Sequence, residues 1–178
     1  QHNPPPEVTP SSPSRQPVIP CPCGYFGDRI RTCRCSPQQI RQYQAKISGP
    51  LLDRIDLHIE VPSIKYRALS DKESGESSST IKERVNEARN RQIRRYEGSG
   101  IFCNARMTEK QIKTFCPIDE ESHRLLEMAI EKLGLSARAI NRILKVSRTI
   151  ADLEDKKTIE SAHVAEAIQY RSLDRSLI

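Results

Sequence analysis

The chain contains no tryptophan, and aromatic residues fill only 4% of its 178 positions. Apolar residues reach 36%, below the roughly 45–50% of an ordinary globular chain, which argues against one large hydrophobic core. No run approaches the ~20 apolar residues that cross a bilayer, so no membrane partner is expected. The first twenty residues lack the apolar stretch of a secretory signal, and a soluble cytoplasmic protein is the expectation. No G-x-x-x-x-G-K-[ST] is present, hence no phosphate-cradling loop. The sole Asp-Glu pair, Asp119-Glu120, opens a helix and does not end an apolar strand, so it does not read as a magnesium-holding pair. Histidines stand apart at 2, 58, 123 and 163, and no nucleophile can be matched to a base. By itself the chain is not expected to hydrolyse ATP.

What is present divides the chain. Seven of the twelve prolines lie within residues 1–20, beside serines and only two charges, Glu7 and Arg15. Such a stretch cannot bury enough apolar surface to offset its ordering entropy and reads as disordered. The chain opens on Gln1, so it also reads as an excised piece or a truncated gene product. A second flexible segment, 67–79, carries Gly75 and, between 74 and 79, four serines. It separates a mixed region, 21–66, from a helical one, 80–178.

In the mixed region, Pro37 to Ile47 predicts a short helix, broken by Gly49-Pro50. Leu57, Ile59 and Val61 alternate with His58 and Glu60, the period of a strand. In the helical region, Thr80 with Glu83 predicts a capping box for a helix to about Glu97, burying Ile81, Val85, Ala88 and Tyr96. Thr108, Asp119 and Ser136 are the expected caps of three further helices, with Gly134 as a terminator. A last helix is expected from Ile159 to Tyr170, behind Thr158. The fold class is therefore mainly α.

The net charge of +6 permits contact with nucleic acid, and the excess lies mostly in 21–61 and 80–100. Cys21, Cys23, Cys33 and Cys35 form a C-x-C-x9-C-x-C pattern, with Gly24, Gly27 and Asp28 supplying a turn. Four thiolates on one knuckle suit a structural zinc ion, although one residue inside each pair is tighter than the usual two to four. Two disulfides, which need an oxidising compartment, and four free thiols are the other readings. Cys103 and Cys116 read as small core residues.

Two arginines stand out. Arg54 lies in an apolar turn before the alternating segment, where it can either project toward an anion or pair with Asp53 or Asp56. Arg138 sits in the first turn of the helix behind Ser136, where the dipole disfavours a cation unless an anion binds beside it. Arg142 and Lys145 share its face, opposite Ile140, Ile143, Leu144, Ser147 and Ile150.

Pro20-Cys21-Pro22-Cys23-Gly24, Cys33-Arg34-Cys35-Ser36-Pro37, Leu51-Leu52-Asp53-Arg54-Ile55-Asp56, Leu135-Ser136-Ala137-Arg138 and His163-Val164-Ala165-Glu166-Ala167 occur in that order. In them the chain resembles the carboxy-terminal part of the magnesium-chelatase-like AAA+ ATPases of the ComM/YifB group, over about residues 20–175. The resemblance implies a hexameric ring whose ATP and magnesium sit between subunits. It implies that Arg54 is the arginine finger given to the neighbouring subunit. Arg138 would be the sensor-2 arginine that contacts the γ-phosphate from the lid of its own subunit, with Arg142 a weaker nucleotide-binding candidate. Residues 21–66 would be the tail of the α/β core and 80–178 the helical lid. The family's asparagine before the cysteine run is Ile19 here, and the Walker A and Walker B segments are missing. The implied role is ATP-driven DNA remodelling within a ring. The alternative is a non-enzymatic, zinc-stabilised helical module that binds a protein partner or nucleic acid.

Overall fold

The computed structural model describes residues 19–46, 54–59, 61, 63 and 75–171. The expected disorder of 1–18, the break at Gly49-Pro50 and most of the 67–79 linker lie outside these residues. Six α-helices are present among them: α1 (Pro37–Gln44), α2 (Ser78–Arg95), α3 (Glu109–Phe115), α4 (Glu120–Leu133), α5 (Ala137–Leu153) and α6 (Ser161–Gln169). None is long and apolar enough to cross a membrane.

Each start has a chemical cause. The side chains of Thr108, Asp119 and Ser136 accept from the backbone N–H groups of Gln111, Ser122 and Ala139, satisfying donors that a helix leaves open. Gly134 closes α4 in the left-handed conformation at φ 63°. Two starts differ from expectation. The cap of α2 is Ser77, whose hydroxyl oxygen accepts from the Thr80 N–H at 3.2 Å, so the helix begins two residues before Thr80. For α6 the Glu160 side chain accepts the N3 backbone N–H, and the Glu160 N–H donates to His163 Nδ1 at 2.8 Å. That exchange replaces Thr158 as the cap.

Helices α2 to α6 enclose one core around Tyr96, Ile112, Leu126, Ile143 and Val164. The Tyr96 and Phe115 rings meet edge to face at 5.3 Å. Ala88 and Tyr96 are buried as expected, but Ile81 and Val85, at the free end of α2, stay exposed. Cys116 belongs to this core, and burial pushes its thiol up to about 11. Cys103 is half-buried and lies outside it.

A polar cluster runs through the same core. Asp152 is fully buried, takes both nitrogens of the Arg95 fork, and lies 3.2 Å from Arg148 Nε. Asn104 accepts from Tyr96 Oη at 2.7 Å and donates to Asp152 Oδ2 at 2.8 Å. The remaining Arg148 donors reach the carbonyls of Lys156 and Lys157, which ties the α5–α6 connection down. Thus Arg95 of the basic 80–100 stretch turns inward, and Arg91 pairs with Asp155 at 2.7 Å. Two cations of that stretch are therefore spent on the fold.

Leu57, His58 and Ile59 form no strand among the described residues. Alternation fits a strand only where a neighbouring strand takes up its backbone groups. Here the His58 N–H donates instead to the Tyr170 carbonyl at 2.8 Å, beyond the end of α6. Leu57 and Ile59 remain exposed.

Candidate functional site

Residues 54–59 lie across α5 and the end of α6, and the space between is a cleft of about 790 Å³. Its polar lining includes the cations Arg54, Arg138, Arg142 and Lys145, with Asn141 and the carboxylates of Asp56, Glu109 and Glu166. The convergence of the α5 cations follows from sequence spacing. Positions 138, 142 and 145 fall on one stripe of α5, while Ile143, Ser147 and Ile150 hold the opposite face in the core. Arg138 lies on the first turn, beside the Ser136 cap, and is exposed.

Three tethers position the Arg54 segment. Arg142 Nη1 donates to the Arg54 carbonyl at 2.7 Å and to the Asp56 carboxylate. Arg171 donates to the Ile55 carbonyl, and His58 is held by Tyr170 as described above. Asp56 is therefore committed to Arg142. Among the described residues no carboxylate forms an ion pair with Arg54, whose side chain is exposed at the cleft. Lys145 Nζ donates to the Ala105 carbonyl at 3.0 Å.

The residue that sequence reasoning missed here is Asp56 in its actual pairing. The sequence offers it, with Asp53, as a local partner of Arg54. It anchors Arg142 instead, a contact across 86 positions that no local pattern announces.

The four knuckle cysteines form a second group. Their sulfurs all lie within 4.8 Å of one another, with Cys21–Cys23, Cys23–Cys33 and Cys21–Cys33 separations of 3.4, 3.6 and 3.8 Å. Disulfide sulfurs sit about 2.05 Å apart, and all four cysteines are free. Gly24 and Gly27, both at φ 80°, make the turn that brings the pairs together. Asp28 accepts the N–H groups of Ile30 and Arg31 and the hydroxyl of Ser63, which holds its carboxyl below the usual range. Hydrogen bonds from the Arg34 and Tyr25 backbones hold the Cys23 thiol down to about 6, whereas burial pushes Cys35 up to about 12. Arg31 lies over the Tyr25 ring at 5.2 Å and donates to its hydroxyl at 2.6 Å.

The family profile described as "Magnesium chelatase, subunit ChlI C-terminal" matches residues 75–171, and "Magnesium chelatase, subunit ChlI" matches residues 16–69. The chain belongs to the magnesium chelatase ChlI family. The helices from α2 to α6 are that family's C-terminal helical domain, the AAA+ lid, and the cysteine knuckle precedes it. This ChlI-family chain is 44% identical over 160 residues to the competence protein ComM of Haemophilus influenzae. It is 42% identical over 160 residues to the protein YifB of Salmonella typhimurium, and 41% to YifB of Escherichia coli. Each match covers 89% of this chain and 30% of the relative. The chain thus spans less than a third of the length of these relatives.

Proposed function

We propose that this chain supplies two guanidinium groups, Arg54 and Arg138, to the nucleotide interface of a ring of magnesium-chelatase-type AAA+ subunits that remodels DNA. The observation supporting this is the single cleft lined by both arginines, with the Arg54 segment fastened to the helix that carries Arg138. Planar guanidiniums at such positions offset the charge that gathers on the oxygens of a transferring phosphoryl group. ATP with magnesium supplies that phosphoryl chemistry, and the phosphate loop that holds it belongs to another subunit in this reading.

Because both arginines line one cleft, the reading assigns them to the same nucleotide. If Arg54 acts as a finger on the neighbouring subunit, Arg138 acts there too, and not on a nucleotide of its own subunit. Arg142 positions Arg54 through Nη1, which donates to Asp56 and to the Arg54 carbonyl, and with its Nε and Nη2 donors it is the weaker nucleotide-binding candidate in this reading. The DNA role rests on Lys82, Arg89 and Arg94 of α2, exposed cations that form no ion pair among the described residues and suit phosphate contacts.

The alternative, a helical module that docks a protein partner, draws on exposed Ile81 and Val85, one turn apart on α2. Mixing the chain with a complete ComM-type subunit separates the two readings. The wild-type chain is expected to change the rate of ATP hydrolysis in proportion to its concentration, and Arg54→Ala and Arg138→Ala chains are expected to have no such effect. Equal effects from all three chains, or none from any, would favour the docking module.

A further inference from the structure

Residues 19–46 are ordered without a hydrophobic core. Helix α1 buries no residue, and in the whole stretch only Cys21 is buried. Phe26 and Ile30, the large apolar side chains of the loop, are about half exposed, at 47% and 50%. Hydrogen bonds between exposed groups, such as Ile30 N–H to Asp28, cannot offset the entropy of fixing 28 residues. Something else must hold this unit.

We propose that Cys21, Cys23, Cys33 and Cys35 bind one zinc ion, and that this ion is the element that orders residues 19–46. Four sulfurs at about 2.3 Å from a tetrahedral centre lie about 3.8 Å from each other. The separations among Cys21, Cys23 and Cys33, 3.4, 3.6 and 3.8 Å, fall at or just inside that value, and Cys35 completes the group within 4.8 Å. The first Cys-x-Cys pair is closed by a local turn, in which the Gly24 N–H donates to the Cys21 carbonyl at 3.0 Å. That turn permits the tight one-residue spacing, because Gly24 adopts a positive φ that a side chain would strain. Zinc with four thiolates carries two negative charges, and Arg29, Arg31 and Arg34 surround the loop with three positive ones. All four positions around the metal are filled by sulfur, so the ion is structural and has no site for substrate.

The ion acts at a distance through two contacts. Gln44 donates to the Pro20 carbonyl at 3.3 Å, fastening α1 to the knuckle, and Ser63 donates to Asp28 at 2.8 Å, fastening the residues that follow the Arg54 segment. Loading the knuckle therefore also fixes one end of that segment.

The test uses the complete 178-residue chain, purified in reductant from zinc-supplemented culture, with metal counted by inductively coupled plasma mass spectrometry. About one zinc per chain is expected, falling to near zero in a Cys23→Ser/Cys35→Ser variant and unchanged in Cys103→Ser. Tryptic cleavage after Arg29 and Arg31 is expected to accelerate roughly tenfold or more in the double variant or after chelation, as local order is lost. The far-UV melting of α2 to α6 is expected to hold steady, which shows that the variant is folded. Three results would overturn the proposal: metal-free wild-type protein that gives no tetrahedral thiolate spectrum with Co²⁺, iron in place of zinc, or cleavage that is indifferent to metal.

Discussion

Arg142 of α5 bonds to Asp56 and, with the same nitrogen, to the backbone carbonyl of Arg54 at 2.7 Å. The pair is partly exposed, so its worth to global stability is small, about 0–1 kcal/mol. Its effect is local. In Arg142→Ala the Arg54 segment loses its only side-chain tether to α5 among the described residues. Tryptic cleavage after Arg54 is then expected to quicken while the thermal midpoint barely moves. Arg142→Lys, a point donor without a fork, is expected to restore protection only in part.

The cluster around Asp152 calls for the opposite outcome. Removing one member of a buried ion pair leaves an uncompensated charge, and Asp152→Ala is expected to cost about 3–5 kcal/mol, read by urea unfolding with far-UV circular dichroism. Asn104→Ala, which strands the Tyr96 hydroxyl and removes one of the two donors to Asp152 Oδ2, is expected to cost about 1–3 kcal/mol.

Stability should fall at both ends of the pH scale for separate reasons. Hydrogen bonds from Ser122 hold the Asp119 carboxyl below the ordinary range. Its contribution is present above the unfolded value, about 3.9, and is lost as pH falls through the lower folded value. Burial raises Tyr96 from 10.0 to about 12, so the neutral phenol contributes below pH 10 and is lost as pH rises toward 12. Thermal midpoints of Asp119→Ala and Tyr96→Phe against pH check this. The first variant should flatten the acid limb and the second the alkaline limb.

Gly134 has no atom within 4 Å of an added Cβ, so Gly134→Ala tests the backbone alone. A φ of 63° costs a side-chain-bearing residue about 1–2 kcal/mol, and a denaturant midpoint should register that loss.

Much of the lid could be read from single residues. Thr108, Asp119, Ser136 and Gly134 mark helix ends by local hydrogen bonding, which a sequence displays directly. The stripe of α5 was equally plain, because 3.6-residue periodicity separates Ile143 from Arg142. Arg148 and Asp152 were not legible as core residues. Spaced four apart on a helix, they look like a solvated pair, and their partners Arg95 and Asn104 lie 57 and 48 positions from Asp152. The alternation at 57–61 pointed to a strand because local pattern cannot reveal whether a neighbouring strand exists. At the candidate site, Arg54 and Arg138 could be picked out by motif, whereas their shared cleft depended on tertiary contact.

The segment carrying Arg54 is gripped mainly by its main chain: Arg142 takes the carbonyl of residue 54, Arg171 that of residue 55, and Tyr170 the N–H of residue 58. Two of the three grips come from the final turn after α6. The bundle therefore carries this arginine as a tool post carries its bit, and a tilt of the bundle re-aims the guanidinium without altering the fold around it.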